Sequence, residues 1–185
     1  MKSFPQIETD RLILRQPASA DIPVIVKLAN DSDIADGTLN MPYPYFEKNA
    51  ISWLNMSYQG FDNGDQFVFA IELKESGQFI GGTGFTVTQC FDRAEIGYWI
   101  GKPYWNKGYC SEALSAVIKF GFNDLKLNKF LATYFPHNPA SGRVMEKCGM
   151  KKEGEFLQHA KKGDRYFDIV QYRLTRNEFE KMKGV

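Results

Sequence analysis

Histidine and cysteine are scarce in this chain, and their scarcity narrows the chemistry open to it. Two histidines, His137 and His159, occur in 185 residues, too few for a His-rich metal site. The three cysteines, Cys90, Cys110 and Cys148, are an odd number at unpatterned spacing. Neither a disulfide framework nor a metal site follows from them, so a reduced, cytoplasmic setting without a metal is expected. Long apolar runs are missing too. Nothing approaches the roughly 18 residues of a membrane span, and Met1-Lys2-Ser3-Phe4-Pro5-Gln6 lacks the apolar stretch of a signal peptide. Neither sign of charge is in excess: 23 Lys and Arg face 22 Asp and Glu, which gives no reason to expect nucleic acid or membrane as a partner. No repeat, low-complexity tract or Pro/Gly/Ser linker divides the chain, and its length suits one domain over 1–185 with a sizeable core. What is plentiful is aromatic residues, which fit a deep core and an apolar pocket.

Hydrophobic periodicity orders the elements. Arg11-Leu12-Ile13-Leu14-Arg15 reads as a short strand. Residues 20–30 carry Ile22, Ile25, Val26 and Ala29 at helical spacing. A loop stiffened by Pro42 and Pro44 spans 36–45, and helical spacing resumes over 48–60. Residues 67–73 and 79–87 read as strands of a hairpin turning at Glu75-Ser76-Gly77. The next strand, 93–100, is nearly continuous in apolar character, which predicts burial on both faces. The stripe Leu114, Val117, Ile118 and Phe122 predicts a helix over 111–122. A strand over 129–135 stops at Pro136, and a short helix over 140–148 ends at Gly149, suited to a left-handed cap. Strands at 156–161 and 166–174 close the chain around Lys162-Gly163-Asp164. The order β-α-α-β-β-β-α-β-α-β-β predicts a mixed α/β fold, its central sheet flanked by helices on both faces.

The most informative stretch is Glu95-Ile96-Gly97-Tyr98-Trp99-Ile100-Gly101, followed by Tyr104-Trp105-Asn106-Lys107-Gly108-Tyr109-Cys110-Ser111-Glu112. A strand runs into a Gly-bearing loop and then a helix start. That pattern aims backbone N–H groups at one spot, where the helix dipole also favours negative charge. It can hold a pyrophosphate with few basic side chains. The stretch resembles the acyl-CoA-binding segment of the GNAT N-acetyltransferases, and within them the RimJ/RimL-like ribosomal-protein acetyltransferases. The family usually shows Gln or Arg, two variable residues, Gly, one variable residue, then Gly or Ala. Here Trp105 and Cys110 depart from that pattern, Trp105 being familiar in the RimJ/RimL-like group. The resemblance covers nearly the whole chain and implies the GNAT fold, with a mostly antiparallel sheet.

A second segment, Asn138-Pro139-Ala140-Ser141-Gly142-Arg143 through Lys147-Cys148-Gly149, resembles the family's Asn, two variable residues and Ser at the start of a helix. By that resemblance, acetyl-CoA is the cosubstrate. Backbone amides of Asn106, Lys107, Gly108, Tyr109, Cys110 and Ser111 hold its pyrophosphate, and Asn138 touches the pantetheine arm. Asn138 is equally placed to cap the helix. Ser141 either hydrogen-bonds the thioester sulfur or protonates the leaving thiolate, with a capping hydroxyl as the alternative. Arg143 and Lys147, four apart, either reach CoA phosphates or form a solvated basic face. Tyr98, Trp99 and Ile100 lie beside the pantetheine, with core packing as the alternative for the two aromatic side chains. A bulge at Gly97 is expected to open the sheet. Tyr134 reads as a core aromatic rather than a proton donor.

The transfer needs a neutral amine to attack a thioester. An α-amine, with a pKa of roughly 8 against about 10.4 for Lys, needs only a modest base. Glu95 matches the strand position where many family members place a carboxylate; a surface ion pair is the alternative. Glu112 reads as a carboxylate favouring the helix dipole. In the related group the loop Met41-Pro42-Tyr43-Pro44-Tyr45 lines the acceptor site, which makes Tyr43 and Tyr45 substrate-binding candidates. Asp168 is expected to be structural or to orient substrate. The expected acceptor is a primary amine, first a ribosomal-protein N-terminus, with polyamines, aminoglycosides and amino acids as rivals. Convergence of Asp31, Asp33 and Asp36 on the cleft would favour a polycation. A CoA-binding module without turnover is the non-enzymatic alternative, and a monomer and a homodimer are both open.

Overall fold

Alternating apolar residues in the strands and striped ones in the helices sort onto one sheet and its two faces. The computed structural model describes residues 3–184. Among them the strands are β1 (Ile7–Glu8), β2 (Leu12–Arg15), β3 (Gln66–Leu73), β4 (Phe79–Thr88), β5 (Arg93–Ile100), β6 (Lys129–Tyr134), β7 (Lys151–Lys162) and β8 (Arg165–Thr175). The helices are α1 (Ile22–Ala29), α2 (Ser32–Asp36), α3 (Glu47–Asn63), α4 (Tyr109–Asn123), α5 (Pro139–Lys147) and α6 (Arg176–Lys183). All eight strands join one sheet in the order β1-β2-β3-β4-β5-β6-β8-β7. Neighbours are antiparallel except β5 and β6, which run parallel because α4 crosses between them.

One face carries α4, α5 and α6. Leu114, Val117, Ile118 and Phe122 of α4, Met145 of α5 and Phe179 of α6 pack there on Phe69, Phe85, Ile96 and Phe130 of the sheet. Phe130 is fully buried, with its ring edge-on to Phe85 and Phe122. Truncating such a side chain to Ala costs about 3–5 kcal/mol, because the lost burial and the void add. The other face carries α1 and α3, whose Ile25, Ala29 and Ala50 meet Ala70 and Phe79. α5 closes at Gly149, φ 78°, the left-handed position its sequence predicts.

Three elements lie outside the sequence expectation: β1, α2 and α6. Helix α6 has one buried apolar side chain, Phe179, in a polar run, so periodicity is weak. Its start was readable as a capping box: Glu178 N donates to Thr175 Oγ1, while the Glu178 carboxylate accepts from Thr175 N. β7 begins at Lys151, ahead of the expected 156, because its first residues are charged, exposed edge positions without alternation. β5 is not buried on both faces as expected. Ala94, Ile96 and Ile100 are buried while Glu95 and Gly97 are exposed, since one face of this strand borders an open cleft.

Candidate active site

β5 and β6 pair only from Arg93↔Lys129 to Glu95↔Leu131. β6 stays paired with β8 along its length, from Lys129↔Thr175 to Tyr134↔Val170, and turns away with it. Beyond Glu95 the β5 edge therefore has no strand partner among the described residues, and a cleft of about 1000 Å³ opens there. The expected bulge at Gly97 is absent: β4 and β5 pair in unbroken register from Gly81↔Ile100 to Thr88↔Arg93. The opening comes from divergence of β6, not from a kink in β5.

Strand alternation divides the site between the faces of β5. Ile96, Tyr98 and Ile100 join the core beneath α4 and α5, while Trp99 joins the core beneath α1 and α3. Glu95 and Gly97 share the parity of Trp99 and line the cleft. A Cβ added to Gly97 would meet nothing within 4 Å, so the missing side chain leaves open space.

On the α4 side, Trp105 Nε1 donates to the Ile100 carbonyl at 2.6 Å. The tryptophan that replaces the usual Gln or Arg thus pins the loop to the end of β5. Asn106 at φ 60° and Gly108 at φ 81° turn the chain into α4, whose first N–H groups, Tyr109, Cys110 and Ser111, lack intrahelical acceptors. Lys107 is exposed, its ammonium 5.6 Å from the Tyr104 ring centroid. Burial and the neighbouring Cys148 push the Cys110 thiol far up, and burial pushes Cys148 up to about 12. Both remain thiols at neutral pH, which makes them poor nucleophiles.

Across the cleft, α5 brings Ser141 to Tyr98. The Tyr98 hydroxyl donates to the Ser141 carbonyl at 2.9 Å and lies 2.8 Å from Ser141 Oγ. Burial, then the nearby Cys110, push the Tyr98 pKa well above the ordinary phenol range. Ser141 does not cap α5, and neither does the Asn138 side chain, although Asn138 occupies the N-cap position. Asn138 Nδ2 donates instead to the Gly37 carbonyl at 3.2 Å. Arg143 and Lys147 are exposed, one helical turn apart. Tyr134 packs with the core and against Gly142 of α5.

The α3 side is assembled from distant segments: the loop after α2, Tyr45, Trp53 and Met56, the Gly82–Thr86 stretch of β4, and His159 and Lys161 of β7. Glu95 is the one carboxylate residue on the cleft wall among the described residues, and Thr133 Oγ1 donates to its Oε1 at 3.4 Å. Asp31 and Asp33 pair with Lys102 instead, and Asp36 is not on the wall. Tyr45 lines the cleft while 5% exposed, its N–H donating to Asn30 Oδ1 at 3.0 Å. Tyr43 is 58% exposed and off the wall. Asp168 Oδ1 accepts from Gln158 N at 2.7 Å, where Gln158 has φ 49° in the irregular part of β7, a structural contact.

Sequence reasoning missed Tyr98 as the partner of Ser141, Lys162, and Arg11. Lys162 Nζ donates to the carbonyls of Ala35 and of Thr38, the latter at 2.7 Å, and so ties down the loop after α2. Burial pushes its pKa down, against the pull of Asp36. Arg11 lies beside Gly108 and Lys107. No local motif marks these residues, because the contacts join segments far apart in the chain.

An open strand edge beside an anion-receptive helix start, with a carboxylate and a hydroxyl pair at the same cleft, is the layout of an acyl-group transferase. The model for the acetyltransferase (GNAT) domain matches residues 11–151, and the chain belongs to that family of acetyltransferases. It is 32% identical over 176 residues to the uncharacterized N-acetyltransferase YoaA of Bacillus subtilis (strain 168), covering 94% of this chain and 98% of that one. It is 31% identical to the [ribosomal protein uS5]-alanine N-acetyltransferase of Escherichia coli (strain K12) over 103 residues, 55% of this chain and 53% of that protein. A GNAT-family acetyltransferase structure from Bacillus anthracis superposes with a TM-score of 0.83 at 28% identity, covering 94% of this chain and 99% of that one. No helix among the described residues is long and apolar enough to cross a membrane.

Proposed function

We propose that this acetyltransferase moves an acetyl group from acetyl-CoA to a single primary amine, the α-amine of a peptide or protein N-terminus such as that of a ribosomal protein. The observation that carries the reading is the cleft through the opened sheet, with Glu95 on one side of β5 and the Tyr98–Ser141 pair on the other. A wall bearing one carboxylate suits one ammonium group and not a polycation, which would need several. The relative named for acetylating an alanine of ribosomal protein uS5 supports the same choice. The sheet that joins elements from β1 to β8 supports the chain acting as one domain, and three free cysteines suit a reducing cytoplasm.

The residues present fit the donor. The N–H groups at the start of α4 suit a diphosphate. The unpartnered β5 edge, from 96 to 100, suits the amides of an extended arm laid down as an added strand. Asn138, with its amide nitrogen on Gly37, keeps its Oδ1 for such an arm. Acetyl-CoA, when bound, supplies the acetyl group as an activated thioester. Glu95 takes a proton from the incoming ammonium, directly or through a water, and frees the lone pair for attack. Tyr98 stays protonated through the neutral range, so it and Ser141 present a neutral hydroxyl pair to the sulfur that departs. The transfer is direct, within one ternary complex.

Thiol release from acetyl-CoA across N-terminal peptides, polyamines, aminoglycosides and amino acids, with a no-acceptor control, tests the reading. Release that depends on peptide N-termini is the expected result. Release with polyamines alone would overturn the acceptor assignment, and none above the control would overturn transfer to every acceptor tested.

A further inference from the structure

The contact between the β1–β2 turn and the start of α4 is more elaborate than holding an edge strand requires. Glu112 lies in the first turn of α4 and receives donors on both carboxylate oxygens. Oε1 accepts from Thr9 Oγ1 at 2.6 Å and from Arg11 N at 2.9 Å. Oε2 accepts from Arg11 Nε and pairs with Arg11 Nη2, both at 2.7 Å. Arg11 Nη1 donates to the Lys107 carbonyl at 3.0 Å, inside the loop before α4, and the guanidinium stacks 4.6 Å from the Tyr109 ring centroid. Nη2 sits where a Cβ on Gly108 would approach it at 3.3 Å.

A carboxylate in the first turn of α4 has an electrostatic consequence. Negative charge there is favoured by the helix end, but it repels any diphosphate seated on the same N–H groups. The fork of Arg11 cancels that charge while turning the Lys107 carbonyl dipole toward itself. We propose that Arg11 is a positioning residue for the cosubstrate's diphosphate: it neutralises Glu112 and holds the Lys107 carbonyl so that the loop's N–H groups face the anion. The inference rests on the acetyl-CoA reading above. Its distinctive consequence is that Glu112 becomes harmful to binding once Arg11 is removed. A clamp that served the fold alone would have no such sign.

Calorimetric binding of CoA and of pantetheine, which lacks the diphosphate, separates these roles in the wild type, R11M, R11K, E112Q and the R11M/E112Q double variant, with thermal melts in parallel. R11M weakens CoA binding by about tenfold, the size of a helix-terminus charge effect in a partly buried setting, and leaves pantetheine binding unchanged. The double variant recovers most of the loss. R11K, whose single ammonium cannot bridge Glu112 and Lys107 together, falls between wild type and R11M, which keeps the test alive if R11M folds poorly. Equal weakening toward both ligands, or a double variant no better than R11M, overturns the positioning role while leaving the acetyl-CoA reading intact. No CoA binding by the wild type overturns both.

Discussion

The loop that leads into α4 is one consecutive run, Ile100 through Ser111, whereas the cleft wall on the α3 side draws Tyr45, Trp53, Gly82, Glu95 and Lys161 from segments scattered through the chain. At the start of α4 the groups left without intrahelical acceptors are backbone N–H groups, and side chains hold the loop: Trp105 on the Ile100 carbonyl, Arg11 on the Lys107 carbonyl. On the α3 side the side chains themselves make the wall, and the loop after α2 is held in place by Lys162, His137 and Asn138. A backbone-built site tolerates substitution of its own residues and is sensitive to what pins it. A side-chain wall is the reverse: each substitution changes what fits. On the proposed function, one half keeps a common cosubstrate while the other diverges toward different acceptors.

The sharpest way to break this comparison is to fill the wall without touching the fold. Gly97→Val places a strand-favouring side chain where a Cβ meets nothing within 4 Å. We expect kcat/KM to fall on the order of 100-fold, the cost of misplacing a reacting group by about an ångström, with the melting temperature nearly unchanged. Full activity in a well-folded variant would mean that the acceptor does not cross β5 at this point.

The same contrast explains what was legible in the sequence. The strand, the Gly loop and the helix stripe of α4 stand in one local run, so the α4 side was readable down to Gly108. Glu95 was placed by the strand it belongs to. In the sequence Tyr98 reads as a pantetheine neighbour or a core aromatic, because its bond to Ser141 spans 43 residues and depends on how α5 packs. Lys162 and Thr38 come together only when the hairpin of β7 and β8 folds against the loop after α2. Local periodicity carries no trace of such contacts. The misplaced bulge has a similar origin: Gly97 is compatible with one, but the divergence belongs to β6, which follows β8. The resemblance points to the whole loop from Met41 to Tyr45, so it does not separate Tyr43 from Tyr45, and the chain turns one outward and the other into the core.

Chemistry across β5 gives a second, smaller effect. Tyr98→Phe and Ser141→Ala are each expected to lower kcat by about 10–100-fold, at or just below the lower end of the usual range for a positioned proton donor. Because the two hydroxyls share one hydrogen bond, the double variant should lose little more than either alone. Additive losses would mean that the two act separately. Smaller again is Lys162→Met. Releasing the loop after α2 should raise KM for the acceptor roughly threefold to tenfold, through loss of the charge-assisted contacts to Ala35 and Thr38. KM for acetyl-CoA should hold. A matching rise in both constants would erase the distinction between the two sides.

The mildest expected effect concerns the pin on the α4 side and has a definite pH signature. Burial works to raise the pKa of Glu112, but hydrogen bonds from Thr9, from the Arg11 N–H and from the Arg11 side chain outweigh it and hold the pKa below the ordinary value. A carboxylate with a depressed folded pKa contributes stability that is present above the unfolded value, about 4.3 for Glu. That contribution fades as pH falls through the folded value. Glu112→Gln should therefore lower stability by roughly 1 kcal/mol near neutral pH, about 2–4 °C in melting temperature for a chain of this size. The gap to wild type should narrow as pH drops below about 4 and close once wild-type Glu112 is itself protonated. Melts from pH 7 to pH 3 measure this directly. A gap that stays constant with pH would mean that Glu112 holds β1 and β2 to α4 by packing rather than by charge. The backbone-built half would then owe its shape to Trp105 and the glycine turn alone.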